Sequence, residues 1–197
     1  VPVFLDSPLA IRATEVFSRN ADALEDTGAA AGADPFRRAN IRFTETVDES
    51  KLIARVHGGA IILAGSGMCD AGRIRHHLKQ NLWRNEATVM LVGYQAPGTL
   101  GALLAQGAPA VKIQGEDIRV NATIRQIDVY SGHADGRQLV NWLTARLPVK
   151  SAVFLTHGEV QSATAFAEEL RRELGWKTRV PKMGQSVELE SPAAGHA

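Results

Sequence analysis

Two short runs each place a histidine where an extended segment gives way to a turn: YSGHAD, from Tyr130 to Asp135, and LTHGE, from Leu155 to Glu159. Imidazole changes charge near neutral pH and is a common metal ligand, so a histidine in such a place can move a proton or hold a metal ion. Both His133 and His157 are followed within two residues by an acid, Asp135 or Glu159, a pairing typical of chemical sites. A histidine merely hydrogen-bonded into a turn is the plainer alternative for each. A third stretch, AGSGMCDAGR from Ala64 to Arg73, has the chemistry of an anion site. A strand that ends in Gly65-Ser66-Gly67 and turns into a helix presents backbone amides to a phosphate, and Arg73 one turn on adds charge. Its glycines lack the dinucleotide-fingerprint spacing, and no triphosphate-loop lysine follows. The competing reading is a tight turn that needs glycine for its backbone angles.

The elements that must position these residues follow from hydropathy. TIRQIDVY (Thr123 to Tyr130) is a β-branched strand that stops at Ser131-Gly132, and SAVFLT (Ser151 to Thr156) is an apolar strand that stops at His157-Gly158. Between them Leu139, Trp142, Leu143 and Leu147 recur at helical spacing behind Asp135, which is placed to cap. This predicts a strand, helix, strand unit with both histidines on one sheet edge. With its strands adjacent, about 4.8 Å apart, His133 and His157 would reach one bound group.

Upstream, VPVFLDS predicts a strand and Ser7-Pro8 a helix start. A Gly/Ala-rich loop over 27–40, a strand IRFTET, a short helix DESKLIAR and a buried strand GAIILAGSG follow. CDAGRIRHHLKQNLW (Cys69 to Trp83) reads as a helix, ATVMLVGY as a strand and APGTLGALLAQG as a helix. Alternating strands and helices predict an α/β, doubly wound, mostly parallel sheet. The hairpin predicted in AVKIQGEDIRVNA breaks that rhythm and sets a boundary near residue 108, dividing the chain into 1–107 and 108–197. A helix from Glu159 to Leu174, strands in KTRVP and SVELE, and a tail complete the chain.

Composition narrows the function classes. The 22 Lys and Arg against 21 Asp and Glu give a net charge of +1, so no global field marks a nucleic-acid or membrane partner and any basic surface is local. One cysteine, Cys69, excludes an internal disulfide and a cysteine-cluster zinc site, and fits a reducing, cytoplasmic setting. No apolar run has transmembrane length. Zinc catalysis needs at least three protein ligands, and no His-x-His pair occurs; His76 and His77 point to different helix faces, and His57 and His196 fall in a loop and the tail. Because Val1 begins inside an apolar run, a fragment of a longer protein is expected.

The runs VFLDSPLA, ILAGSGMCDAGRIRHHLKQNL, LVGYQAPGTLGA, YSGHAD and FLTHGE, in this order, resemble the β-CASP branch of metallo-β-lactamase-fold nucleases over nearly the whole chain. The resemblance implies that 1–107 is most of a β-CASP domain and that 108–197 is a C-terminal αβ segment, the RNA-specificity segment, that would complete a metallo-β-lactamase fold. It implies that His133 is a general acid near the scissile phosphate and that His157 ligates one of two zinc ions. Ser131 and Gly132 would approach substrate phosphate, and Gly65, Ser66 and Gly67 would face the cleft. The family's HxHxDH run would precede Val1. The function implied is a zinc-dependent ribonuclease hydrolysing RNA phosphodiesters, with the fragment inactive alone; a histidine at position 157 favours RNA over DNA members. The partners implied are RNA, the preceding metallo-β-lactamase half of the same protein and, as an open alternative to a monomer, a second copy. Other readings are a stand-alone RNA-binding module and a nucleotide-binding α/β domain without chemistry.

Overall fold

Three short apolar runs pair as parallel strands, as their β-branched and aliphatic composition predicts. β1 (Val3–Leu5) lies between β2 (Ile41–Phe43) and β3 (Ile61–Leu63), with Val3 opposite Ile41 on one side and Ile61 on the other. The structure, a computed structural model, describes residues 1–23, 34, 36, 38–56, 58–127, 129–130, 132–146, 149 and 151–188. Ser131, His57, His196, most of the predicted 27–40 loop and the tail lie outside these described residues. Two compact units are present, Val1–Ser131 and Gly132–Ala197.

In the first unit, α1 (Pro8–Arg19) follows β1 and starts as predicted, with the Ala10 amide donating to Ser7 Oγ at 3.4 Å. α2 (Val47–Ile53) opens on a capping box in which Thr46 and Glu49 satisfy each other's amides. The strand order β2-β1-β3 means that the chain crosses from one side of β1 to the other. The carboxyl ends of β1 and β3 therefore border a topological switch point, where open α/β sheets bind ligands.

The remaining elements of this unit are α3 (Ile74–Asn81), β4 (Thr88–Val92), α4 (Leu100–Ala105), β5 (Ala110–Ile113), β6 (Glu116–Arg119) and β7 (Thr123–Ile127). β5 and β6 form the predicted antiparallel hairpin, turning through Gln114 and Gly115 at φ 52° and 86°. Leu78 and Leu82 of the α3 segment, Leu91, Leu100, Leu104, Val111 and Ile113 make the core, with Val89 and Ile124 packed against it.

One expectation is corrected. α3 begins at Ile74 rather than Cys69 because Cys69 and Gly72 hold left-handed backbone angles, φ 65° and 71°, which a helix excludes. β7 pairs in parallel with β4, placing Ile124 opposite Val89 over the core.

In the second unit, α5 (Gly136–Thr144) is capped by Asp135 as predicted, through a box with Gln138. β8 (Val153–Phe154) pairs in parallel with β9 (Thr178–Arg179), and α6 (Val160–Leu174) buries Ala167 and Leu170. Residues 186–188 of the predicted SVELE strand are not in a strand. No helix among the described residues is long and apolar enough to cross a membrane.

Candidate functional site

The ends of β1, β2 and β3 meet at one buried carboxylate. Asp6, the residue after β1, is fully buried. Its Oδ1 accepts from Thr44 Oγ1 at 2.7 Å and from Arg73 Nη1 at 2.6 Å. Its Oδ2 accepts from Ser50 Oγ at 2.6 Å and lies 2.6 Å from His77 Nε2. Burial pushes the Asp6 carboxyl up, but hydrogen bonds from Ser50, His77, Thr44 and Arg73 outweigh it and hold the group below the ordinary carboxylate range. Asp6 is therefore a carboxylate at neutral pH. A buried charge is tolerated on such terms, with a counter-ion and its lone pairs filled.

Arg73 belongs to this cluster. Besides Asp6, its guanidinium donates to the carbonyl oxygens of Thr44 and Glu45, each at 2.7 Å. The cation predicted to reach a phosphate is thus engaged by the protein's own strand ends. Helical periodicity assigns one face of this helix to Ile74, Leu78 and Leu82. His77 lies about 60° to the side of Ile74 on the helical wheel, flanking that stripe, and is buried against Asp6; periodicity alone does not separate such a flanking histidine from a solvent-facing one.

The Gly65–Gly67 turn leaves β3 beside this cluster. Its Gly65-Ser66 peptide bond is cis. The turn is tied internally, Ser66 N to Ala71 O at 3.1 Å, Cys69 N to Ser66 O at 3.1 Å and Ile74 N to Gly65 O at 3.1 Å. It is also bolted to the segment after β4, where Gln95 Nε2 donates to Gly67 O at 3.1 Å and the Gly101 amide to Met68 O at 3.0 Å. The amides of Gly67 and Met68 make no hydrogen bond to protein among the described residues, and Gly67 is exposed. Cys69 offers no thiolate here, since burial and the Asp70 carboxylate push its thiol up to about 11.

Gly72 closes the turn and admits no side chain. At φ 71°, a Cβ there would stand 2.5 Å from Gly65 O, so both backbone strain and a clash oppose it. Gly72→Ala is expected to destabilise the first unit by about 2 kcal/mol or more. Urea melts followed by circular dichroism test this, and a midpoint equal to the parent's would contradict it.

Gly132, His133 and His157 belong to the second unit, whereas Gly65, Ser66, Gly67 and Arg73 belong to the first. His133 is exposed two residues before the cap of α5. His157 is exposed beyond β8 and adopts φ 63°, a left-handed conformation uncommon for a residue with a side chain and frequent at functional turns. Among the described residues no group of three or more His, Cys, Asp or Glu side chains is arranged to hold a metal ion. The described residues therefore do not build a zinc site by themselves.

Comparison with known proteins gives two successive matches along the chain. Residues 1–104 match the Beta-Casp domain, and residues 117–181 match a Zn-dependent metallo-hydrolase RNA specificity domain. The chain is 34% identical over 189 residues to Ribonuclease TTHA0252 of Thermus thermophilus, covering 94% of this chain and 43% of that protein. It is 35% identical over 135 residues to transcription termination factor FttA of Pyrococcus abyssi, covering 66% of this chain and 21% of that protein. With the FttA of Methanosarcina mazei it shares 28% identity over 198 residues, 96% of this chain and 31% of that protein. The chain thus spans less than half the length of each of these relatives. Its mixed α/β architecture of mostly parallel strands and these two successive matches identify it as a member of the β-CASP family of RNA-processing, metallo-β-lactamase-fold proteins.

Proposed function

We propose that this chain is the RNA-contacting portion of a zinc-dependent ribonuclease and that it binds the RNA backbone without cutting it alone. The observation that carries the reading is the ordered pair of matches on one chain, a Beta-Casp domain followed by a Zn-dependent RNA specificity domain. On this reading the Gly65, Ser66 and Gly67 turn contacts a phosphate through the amides of Gly67 and Met68, and Ser131 and Gly132 approach another. His133 donates a proton to the departing oxygen, and His157 supplies one zinc ligand. The remaining ligands come from a part of the relatives' length that this chain does not span, and with that part the chain completes a metallo-β-lactamase fold. The apolar face of α5, with Leu139 40% and Trp142 52% exposed, supports packing against further protein. Division of the chain into a β-CASP portion, 1–107, and a returning portion, 108–197, belongs to the same proposal.

The turn tests the reading. Nothing lies within 4 Å of a Cβ built on Gly67, so Gly67→Ala and Gly67→Asp both fit. Only the second brings a negative charge to the amides that would meet phosphate. Gly67→Asp is expected to weaken binding of single-stranded RNA by about tenfold in low salt, with the loss shrinking as salt screens the repulsion. Fluorescence anisotropy across a salt series measures it. Equal affinity of Gly67→Asp and parent in low salt would remove the turn from the interface.

A further inference from the structure

Four donors on one buried carboxylate exceed what neutralising it requires. One arginine would balance the charge of Asp6, yet Thr44, Ser50, Arg73 and His77 all reach it, from the end of β2, from α2 and from the start of α3. Donors arriving from three elements fix the carboxylate in all directions, and Arg73 extends the lock to the Thr44 and Glu45 carbonyl oxygens. The backbone of Arg73 is the cap of α3, and the next amide, Ile74 N, donates to Gly65 O at 3.1 Å. A continuous path therefore runs from Asp6 through Arg73 to the peptide that starts the Gly65–Gly67 turn.

We propose that Asp6, Arg73 and His77 form a positioning cluster that aims the Gly67 and Met68 amides at a phosphate of bound RNA. The inference rests on the phosphate-binding reading of that turn. Arg73 acts through the turn and not by contact with substrate. Lysine cannot replace it, because a single ammonium does not span one carboxylate and two carbonyl oxygens as a planar guanidinium does. The Ser50 hydroxyl belongs to α2, and its removal loosens Asp6 without altering α3 or the turn directly.

The test uses the full chain and a labelled single-stranded oligouridylate. Arg73→Lys and Ser50→Ala are each combined with Gly67→Asp in a double-mutant cycle, and circular dichroism establishes that each variant is folded. The expected result is an affinity loss of about tenfold for Arg73→Lys and a smaller loss for Ser50→Ala. The salt slope stays at the parent value, since no phosphate-contacting charge is lost. Gly67→Asp then adds little to either variant, because the amides are already misdirected. Should Arg73→Lys fail to fold, Ser50→Ala carries the cycle. Folded variants that bind like the parent, or whose losses simply add to that of Gly67→Asp, overturn the positioning role while leaving the turn's own contact standing. If Gly67→Asp itself binds RNA like the parent, the turn reading fails and the positioning role fails with it.

Discussion

In the whole ribonuclease to which the proposal assigns this chain, His133→Ala is expected to slow RNA cleavage by about a hundredfold or more with zinc content intact. His157→Ala is expected to lower zinc content instead, so that added zinc recovers part of its activity. The two side chains stand in different local settings. His133 precedes the capped start of α5, whereas His157 follows a strand and holds its side chain on a left-handed backbone. A general acid has a further signature, because a better leaving group needs less protonation. A substrate whose departing bridging atom is sulfur should rescue His133→Ala more than it accelerates the parent. Elemental analysis together with cleavage rates on both substrates decides the matter. Zinc depletion in His133→Ala that added metal repairs, or the absence of selective rescue, would remove the acid role.

Asp6→Ala is expected to destabilise the first unit by about 3–5 kcal/mol, because it leaves the part-buried Arg73 and the buried His77 without their carboxylate. The pH dependence has a definite sign. Hydrogen bonds hold the Asp6 carboxyl below its ordinary value against the effect of burial, so the folded state binds its proton less readily than the unfolded chain. Its contribution is complete above the ordinary carboxylate pKa and is lost as pH falls through the lowered one. Asp6→Asn should therefore show a flatter loss of stability than the parent between neutral pH and the acid limb. Urea melts over that range test it, and parallel curves for the two proteins would contradict the assignment.

Local signals were legible where one segment carries its own information. The strand VFL, the Ser7 cap, the hairpin in AVKIQGEDIRVNA and the Asp135 cap were all readable, because backbone angles and nearest neighbours decide them. Partner choice was not. β7 pairs with β4 because Ile124 completes the apolar layer over Val89, a contact between distant segments that periodicity does not encode. For the same reason Arg73 was legible as a cation beside a glycine turn, while its carboxylate partner, 67 residues upstream, was not. Asp6 itself reads in sequence as one more polar residue before a helix cap. Its importance appears only when three strand ends are brought to the same point. The compact units divide at Ser131, beyond the hairpin that interrupts the strand and helix alternation, because the β4–β7 pairing holds the chain in the first unit as far as Ile127.

On the proposed function this chain holds RNA, and cleavage requires zinc ligands that it does not itself bring together. The most direct measurement incubates the purified chain with zinc and a labelled single-stranded RNA, following binding and cleavage in the same sample, with mononucleotides as competitors. The expected result is a salt-sensitive complex, weak displacement by mononucleotides and intact RNA, with no stoichiometric zinc retained by the chain after dialysis against a mild chelator. Zinc-dependent cleavage by the chain alone, or tight zinc that survives dialysis, would contradict it, as would mononucleotides that compete as well as RNA does.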